Sequence, residues 1–167
     1  MARTLVGVMG PGDGALARDC QNAYELGRAI AQNSWVLVTG GRGVGVMDAA
    51  SRGAHEAGGL TVGILPSTDL KGASSFVDVP IVTGVGQARN NINVLSCRVI
   101  FACGIGAGTA SEISLALKAG RDTILVEPRD ETVAFFRALQ PAKLHVARNA
   151  SHAMQIATGL LNGAQKI

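Results

Sequence analysis

Charge and aromatic rings are both scarce in this sequence. Only 16% of its 167 residues are Asp, Glu, Lys or Arg, against about 25% in an ordinary soluble domain. Aromatics come to one Trp, one Tyr and four Phe, and the net charge is a mild +3. Without a Lys/Arg run or stacking rings between basic residues, a nucleic-acid surface is not expected. Cysteine is limited to Cys20, Cys97 and Cys103. No CxxC and no Cys/His pairing at ligand spacing occurs, so no structural zinc site is expected. Cys97 and Cys103 fall at opposite ends of one strand, about 20 Å apart at strand rise, which is too far to bridge. No apolar run reaches bilayer length, and MARTLVGVMG has no charged segment leading into an apolar one. No membrane span and no signal peptide are therefore expected, with the cytoplasm as the default compartment.

What the chain does have is 47% hydrophobic residues and 22 glycines. A length of this order makes one domain, expected over residues 1–167. So little charge on so short a chain suggests that part of the buried surface lies between copies, in a homo-oligomer. Apolar, β-branched runs at Thr4–Met9, Trp35–Thr39, Leu60–Leu65, Pro80–Thr83, Val99–Cys103, Thr123–Glu127 and Leu144–Ala147 read as strands buried on both faces. Helical periodicity falls between them, at Leu16–Gln32, Val46–Ala57, Gln87–Ser96, Thr109–Ala119, Glu131–Leu139 and Ser151–Leu161. The last carries Ala153, Ile156, Ala157, Leu160 and Leu161 on one stripe. This alternation predicts an α/β, Rossmann-like, doubly wound fold. Its sheet is mostly parallel, of about seven strands, with helices on both faces. Pro66–Val79, the longest irregular segment, is expected to be a mobile flap.

Three glycine turns follow strands and so fall on the edge where such folds bind ligands. They are Gly10-Pro11-Gly12-Asp13-Gly14, Gly40-Gly41-Arg42-Gly43-Val44-Gly45 and Gly104-Ile105-Gly106-Ala107-Gly108. One such turn is only a turn; three on one edge predict a site for a phosphate-bearing small molecule. In the third, Thr109 is expected to open a helix, with Glu112 in its first turn. The free N–H groups and dipole of that helix would make an anion seat. The expected ligand contacts are Gly10, Gly12, Asp13, Gly40, Gly41, Arg42, Gly43, Arg89, Gly104, Gly106, Ala107, Gly108 and Thr109. No acid ends the second strand to hold an NAD ribose, and no GK[ST] follows a glycine loop, so neither NAD nor a P-loop nucleotide is expected. From spacing alone, Arg89 reads equally as a site residue or a surface cation. Glu112 reads equally as a site residue or the N3 partner of Thr109 in a capping box. Asn90, Asn91 and Asn93 have no forced role, and Cys103 reads as a small core residue at the lip of the loop.

Together, LVTGGRGVGVMDAASRGAHEAGG, VPIVTGVGQARNNIN and GIGAGTASEISLALKAG resemble the lysine-decarboxylase-like (SLOG) superfamily. That name reflects an old misassignment, and no pyridoxal phosphate is expected. The cytokinin-activating LOG phosphoribohydrolases of this superfamily carry a helix-borne Arg followed by PGGxGTxxE. Over nearly the whole chain the sequence is still more similar to the molybdenum cofactor carrier protein family. That family shares GVMGPG, TGG-R-x-x-GVM, VDxPIVTGxGxARxNIN and GxGxGTAxE. The LOG resemblance places a catalytic Arg and Glu on Arg89 and Glu112, and the phosphate loop on Gly104 to Thr109. Gly104, Ile105 and Asn90 depart from that pattern, and a β-branched Ile105 is expected to fill space at the phosphate. The carrier resemblance implies that the chain binds, stores and delivers the molybdenum cofactor, as a tetramer or dimer, to cofactor-accepting enzymes. The alternative is hydrolysis of the N-glycosidic bond of a nucleoside 5′-monophosphate.

Overall fold

The computed structural model describes residues 3–163. Residues 1–2 and 164–167, at the ends of the expected domain, lie outside the described residues. Strands β1 (Leu5–Met9), β2 (Val36–Thr39), β3 (Thr61–Leu65), β4 (Val79–Val82), β5 (Val99–Cys103), β6 (Asp122–Val126) and β7 (Leu144–Ala147) make one sheet. Its order is β4-β3-β2-β1-β5-β6-β7, and all neighbouring pairs are parallel. Helices α1 (Ala17–Gln32), α2 (Gly45–Glu56), α3 (Arg89–Ser96), α4 (Ala107–Lys118), α5 (Asp130–Leu139) and α6 (Ala150–Gly163) connect and follow them. The element boundaries read from sequence agree within two residues. Gln87 and Ala88 lie in a 3-10 turn, Gly86–Ala88, that leads into α3.

The core lies on both faces because parallel strands with β-branched alternation have apolar side chains on each. Val6, Val8, Leu37, Phe101, Ile124 and Val126 pack under α1, α2 and α6. On the opposite face Val38, Ile64 and Ile100 meet Val94 of α3 and Ala116 of α4. Ala102, Leu125 and Leu144 there meet Ile113 and Leu117 of α4 and Phe136 of α5. On the expected stripe of α6, Ala153, Ala157 and Leu161 are buried and Ile156 and Leu160 half-buried. Cys103 lies wholly inside the first of these layers, not at the lip of its loop, and burial pushes its thiol far up. The three cysteines are free.

Two expectations are corrected. The segment expected at Pro80–Thr83 is the edge strand β4, and all four of its residues are exposed. Its apolar residues reflect position at the rim, which sequence composition does not reveal. The segment Pro66–Val79 is tied down from Gly72 to Asp78. Ser74 N–H donates to Gly41 O at 2.9 Å, Gly43 N–H donates to Gly72 O at 2.9 Å, and the Ser74 hydroxyl donates to Asp48 Oδ1 at 2.7 Å. Thr61 holds its far end through Phe76 O and Asp78.

α1 and α2 approach each other closely. A Cβ built at Gly27 would run into the carbonyl oxygen of Ala50, and one at Gly53 into that of Tyr24. Both obstacles are backbone and cannot rotate away. Gly27→Ala is expected to cost about 2 kcal/mol, seen as a lower urea midpoint; an unchanged midpoint would show that the two helices separate freely.

Candidate anion-binding site

β1 lies between β2 and β5, and the chain leaves β1 toward one face and β5 toward the other. Such a reversal opens a crevice beyond the carboxyl ends of the strands. A cavity of about 330 Å³ occupies it. Of the expected contacts, Gly10, Gly12, Asp13, Gly40, Arg42, Arg89, Gly106, Ala107, Gly108 and Thr109 line this cavity, together with Glu112. Gly41, Gly43 and Gly104 do not. Gly41 lies against Gly63 of β3 in a left-handed conformation, and Gly43 faces Ala73 and Ser74. Gly104 is left-handed too, and a Cβ there would strike the Asp19 carboxylate.

The three turns are not equivalent donors. At the first, α1 is capped from within, because Asp19 Oδ2 accepts the Leu16 N–H at 3.3 Å. At the second, the Val46 N–H of α2 is spent on Pro11 O at 3.0 Å. At the third, Gly106 is the N-cap of α4 and supplies no side-chain cap. The N–H groups of Ala107, Gly108 and Thr109 have no intrahelical acceptor by helix geometry. Helix α4 therefore starts two residues before the expected Thr109. Thr109 is N3 and Glu112 lies a full turn in, so the capping-box reading of Glu112 does not hold.

Glycine at 106 and 108 is not required by the fold. Gly106 has φ −153°, an extended conformation open to any residue, and a Cβ there would meet only Pro11 at 3.6 Å. A Cβ on Gly108 would meet nothing within 4 Å. Glycine in a helix costs about 1 kcal/mol relative to alanine. Its presence in the open first turn keeps the approach to three N–H groups clear.

Arg89 is a buried cation, 6% exposed. Its guanidinium lies on Gly40, where a Cβ would come within 2.8 Å of Nη1. Nη1 donates to Asn90 Oδ1 at 3.2 Å and stands 3.7 Å from Glu112 Oε1. Asn93 Nδ2 donates to the same Glu112 oxygen at 2.8 Å. The buried Nε of Arg89 and Oδ1 of Asn93 have no partner among the described residues. Burial lowers the Arg89 pKa and Glu112 opposes that, while the Arg42 charge adds to the lowering. Burial raises the Glu112 pKa, against the Asn93 hydrogen bond and the Arg89 charge. Arg42 is half-exposed, 3.9 Å from the exposed Asp13 carboxylate.

Asn90 and Asn93 are the site residues that sequence reading left without a role. The signal for Asn93 was its spacing, one helical turn after Arg89 and so on the same face. Ile105 was misplaced. It turns away from the α4 N-terminus into a second cavity with Gly104, and so does not crowd the anion seat. Among the described residues no group of three or more His, Cys, Asp or Glu is placed to hold a metal ion, and no helix is long and apolar enough to cross a membrane.

The raised Glu112 pKa has a sign for stability. A carboxyl whose folded value exceeds its unfolded one loses stabilisation as pH rises from the ordinary carboxylate range through the folded value. Removing the Asn93 donor should raise that value further. Asn93→Ala is expected to move the Glu112 carboxyl titration upward in an NMR pH series; an unmoved or lowered midpoint would show that Asn93 does not hold the anion.

The model of the SLOG cluster4 family matches residues 3–156. The molybdenum cofactor binding protein of the phototrophic bacterium Rippkaea orientalis is 47% identical, with a TM-score of 0.95 over 96% of this chain and 99% of that one. The molybdenum cofactor carrier protein of Chlamydomonas reinhardtii is 45% identical, with a TM-score of 0.92 over the same shares. A protein of Archaeoglobus fulgidus with no described function is 42% identical over 124 residues, 74% of this chain and 80% of that one.

Proposed function

The chain belongs to the SLOG cluster4 family, and from that premise we propose that it binds, stores and delivers the molybdenum cofactor. Near-full-length similarity to a cofactor binding protein and a cofactor carrier protein supports this reading. The observation that carries it is the uncapped N-terminus of α4, opened by two glycines the fold does not need, beside a buried arginine. The N–H groups of Ala107, Gly108 and Thr109 and the Thr109 hydroxyl would hold the phosphate of the cofactor. Arg89, and Arg42 at the rim, would add charge-assisted hydrogen bonds. Gly10, Gly12, Asp13 and Gly40 complete the wall. Gly41, Gly43 and Gly104 support it from behind by shaping their loops. The whole chain, 1–167, is read as one such binding domain acting in the cytoplasm, with cofactor-accepting enzymes as recipients.

We read the chain as a carrier and not an enzyme. The specific observation favouring a phosphoribohydrolase is the Arg89–Glu112 pair in the wall of the cavity. In that reading Glu112 would stabilise oxocarbenium charge or activate water, and Arg89 would orient the ribose. A homo-oligomer, dimer or tetramer, is also proposed. Ile81 and Val82 of β4 and Ile92 and Leu95 of α3 are large apolar side chains left exposed, as at contacts between copies.

Protein purified from a host that makes the cofactor is expected to release the oxidised pterin fluorophore on denaturation. Gly106→Trp should abolish that signal while the far-ultraviolet spectrum stays native. Equal pterin in the variant would place the ligand elsewhere. Glu112→Gln is expected to keep most of the cofactor, and the wild type to leave nucleoside 5′-monophosphates intact. Release of free base by the wild type, lost in Glu112→Gln, would establish the hydrolase instead.

A further inference from the structure

Beside the anion seat, Gly104 and Ile105 line a second cavity of about 200 Å³. We infer that it takes the ring end of the cofactor, a flat heterocycle whose edge presents adjacent N–H donors, as the 2-amino-4-oxo pyrimidine edge of a pterin does. The identity of the ligand rests on the reading above; the ring chemistry rests on the cavity itself.

Its walls suit the two sides of a ring. Ile113, Leu125 and Pro128 are apolar lining. Leu16 and Ile105, also lining, are 47% and 41% exposed. Large apolar side chains left in water around a cavity are unexplained by packing within the chain and mark contact with something apolar. The edge carries acceptors: Glu127 and Asp19 line the cavity, alongside the Arg18 and Arg129 cations, and Arg18 Nε stands 3.8 Å from Asp19 Oδ1. Asn22 Nδ2 donates to Glu127 Oε2 at 2.9 Å, and Oε1 has no donor among the described residues. Glu127 holds φ at +51°, a left-handed conformation for a residue with a Cβ, and its N–H is fixed on Ala147 O at 2.7 Å. A carboxylate accepts two parallel N–H groups without donating any.

Size and position connect the two cavities. Sites for whole small molecules run from about 300 to 1,000 Å³, so the second cavity holds a ring system and not the complete cofactor. The same two loops separate it from the first. Gly12 and Asp13 face one side, Gly14 and Leu16 the other; Gly106 faces one side, Ile105 the other. The crest between them is narrow, since successive Cα atoms are about 3.8 Å apart. It is also low: a Cβ on Gly14 would meet nothing within 4 Å, and one on Gly106 only Pro11. A ligand can cross it with its phosphate at α4 and its ring among the carboxylates.

The test uses 6-hydroxymethylpterin, a pterin without phosphate, titrated into the full chain and followed by its fluorescence anisotropy. Wild type is expected to bind it, and excess inorganic phosphate, which belongs at α4, to leave it bound. Glu127→Gln should weaken it about tenfold, the loss of one charge-assisted contact. Ile105→Ala, an exposed change that leaves the core untouched, should weaken it severalfold. No binding by wild type, displacement by phosphate, or unchanged binding in both variants would overturn the inference. Failure of the carrier reading gives a different result, absence of pterin from protein made in a cofactor-producing host, whatever the titration shows.

Discussion

The placement of β1 between β2 and β5 is the constraint on which the site depends. Because all neighbouring strands are parallel, every strand delivers its following loop to the same edge. Because α1 and α4 then leave to opposite faces, the loops after β1 and β5 cannot close over each other. Pro11 of one lies beside Gly106 of the other, next to the close approach of Gly10 to the Cys103 carbonyl. That contact divides the crevice into two cavities, and the first turn of α4, which faces the larger of them, has no side-chain cap.

Within that crevice, burying Arg89 is expensive unless its charge is answered. Glu112 answers it at 3.7 Å, Asn90 accepts from it, and Gly40 leaves the room in which the guanidinium lies flat. The arrangement is unfinished: the Arg89 Nε and the Asn93 Oδ1 remain without partners among the described residues. A buried donor left unmade costs the full desolvation of the group. Such a cost is retained where strain or ligand binding makes use of it, and the cavity that Arg89 lines gives it a use.

The fold was legible because its signals are local and repeated: β-branched runs at Val36–Thr39 or Val99–Cys103 and glycine turns at their ends. The edge and not the centre was where reading failed. β4 has the composition of a buried strand, and only its last place in the sheet order exposes it. In the site, most of the turn glycines were legible from position, although Gly41, Gly43 and Gly104 do not line the cavity, and spacing alone left Arg89 an even choice with a surface cation. The helix start was not, because Gly106-Ala107-Gly108 has the composition of a loop, and only the backbone shows that α4 has already begun at Ala107. Asn93 was hidden because an asparagine carries no charge to advertise a partner, and its partner Glu112 lies 19 residues away. Ile105 was misjudged for a related reason: adjacent residues of one loop can face different cavities.

The same electrostatics bear on the difference between holding a cargo and transforming it. A lone buried arginine at a helix N-terminus would grip a phosphate tightly, since both attract the anion at low dielectric. Here Glu112 already engages Arg89, and Asp13 stands near Arg42, so each cation in the cavity has a carboxylate beside it. An incoming anion gains the backbone N–H groups of α4 in full but only the residual attraction of the arginines. Affinity is thereby held to a level from which cargo can leave. Glu112 is itself fixed by Asn93 and Arg89 on one oxygen, which suits a counter-ion that sets the orientation of Arg89. A hydrolase would make a further demand on the same carboxylate, access for its other oxygen to a sugar or a water. Orientation of a guanidinium and moderation of its charge are sufficient reason for a glutamate at this position in a carrier.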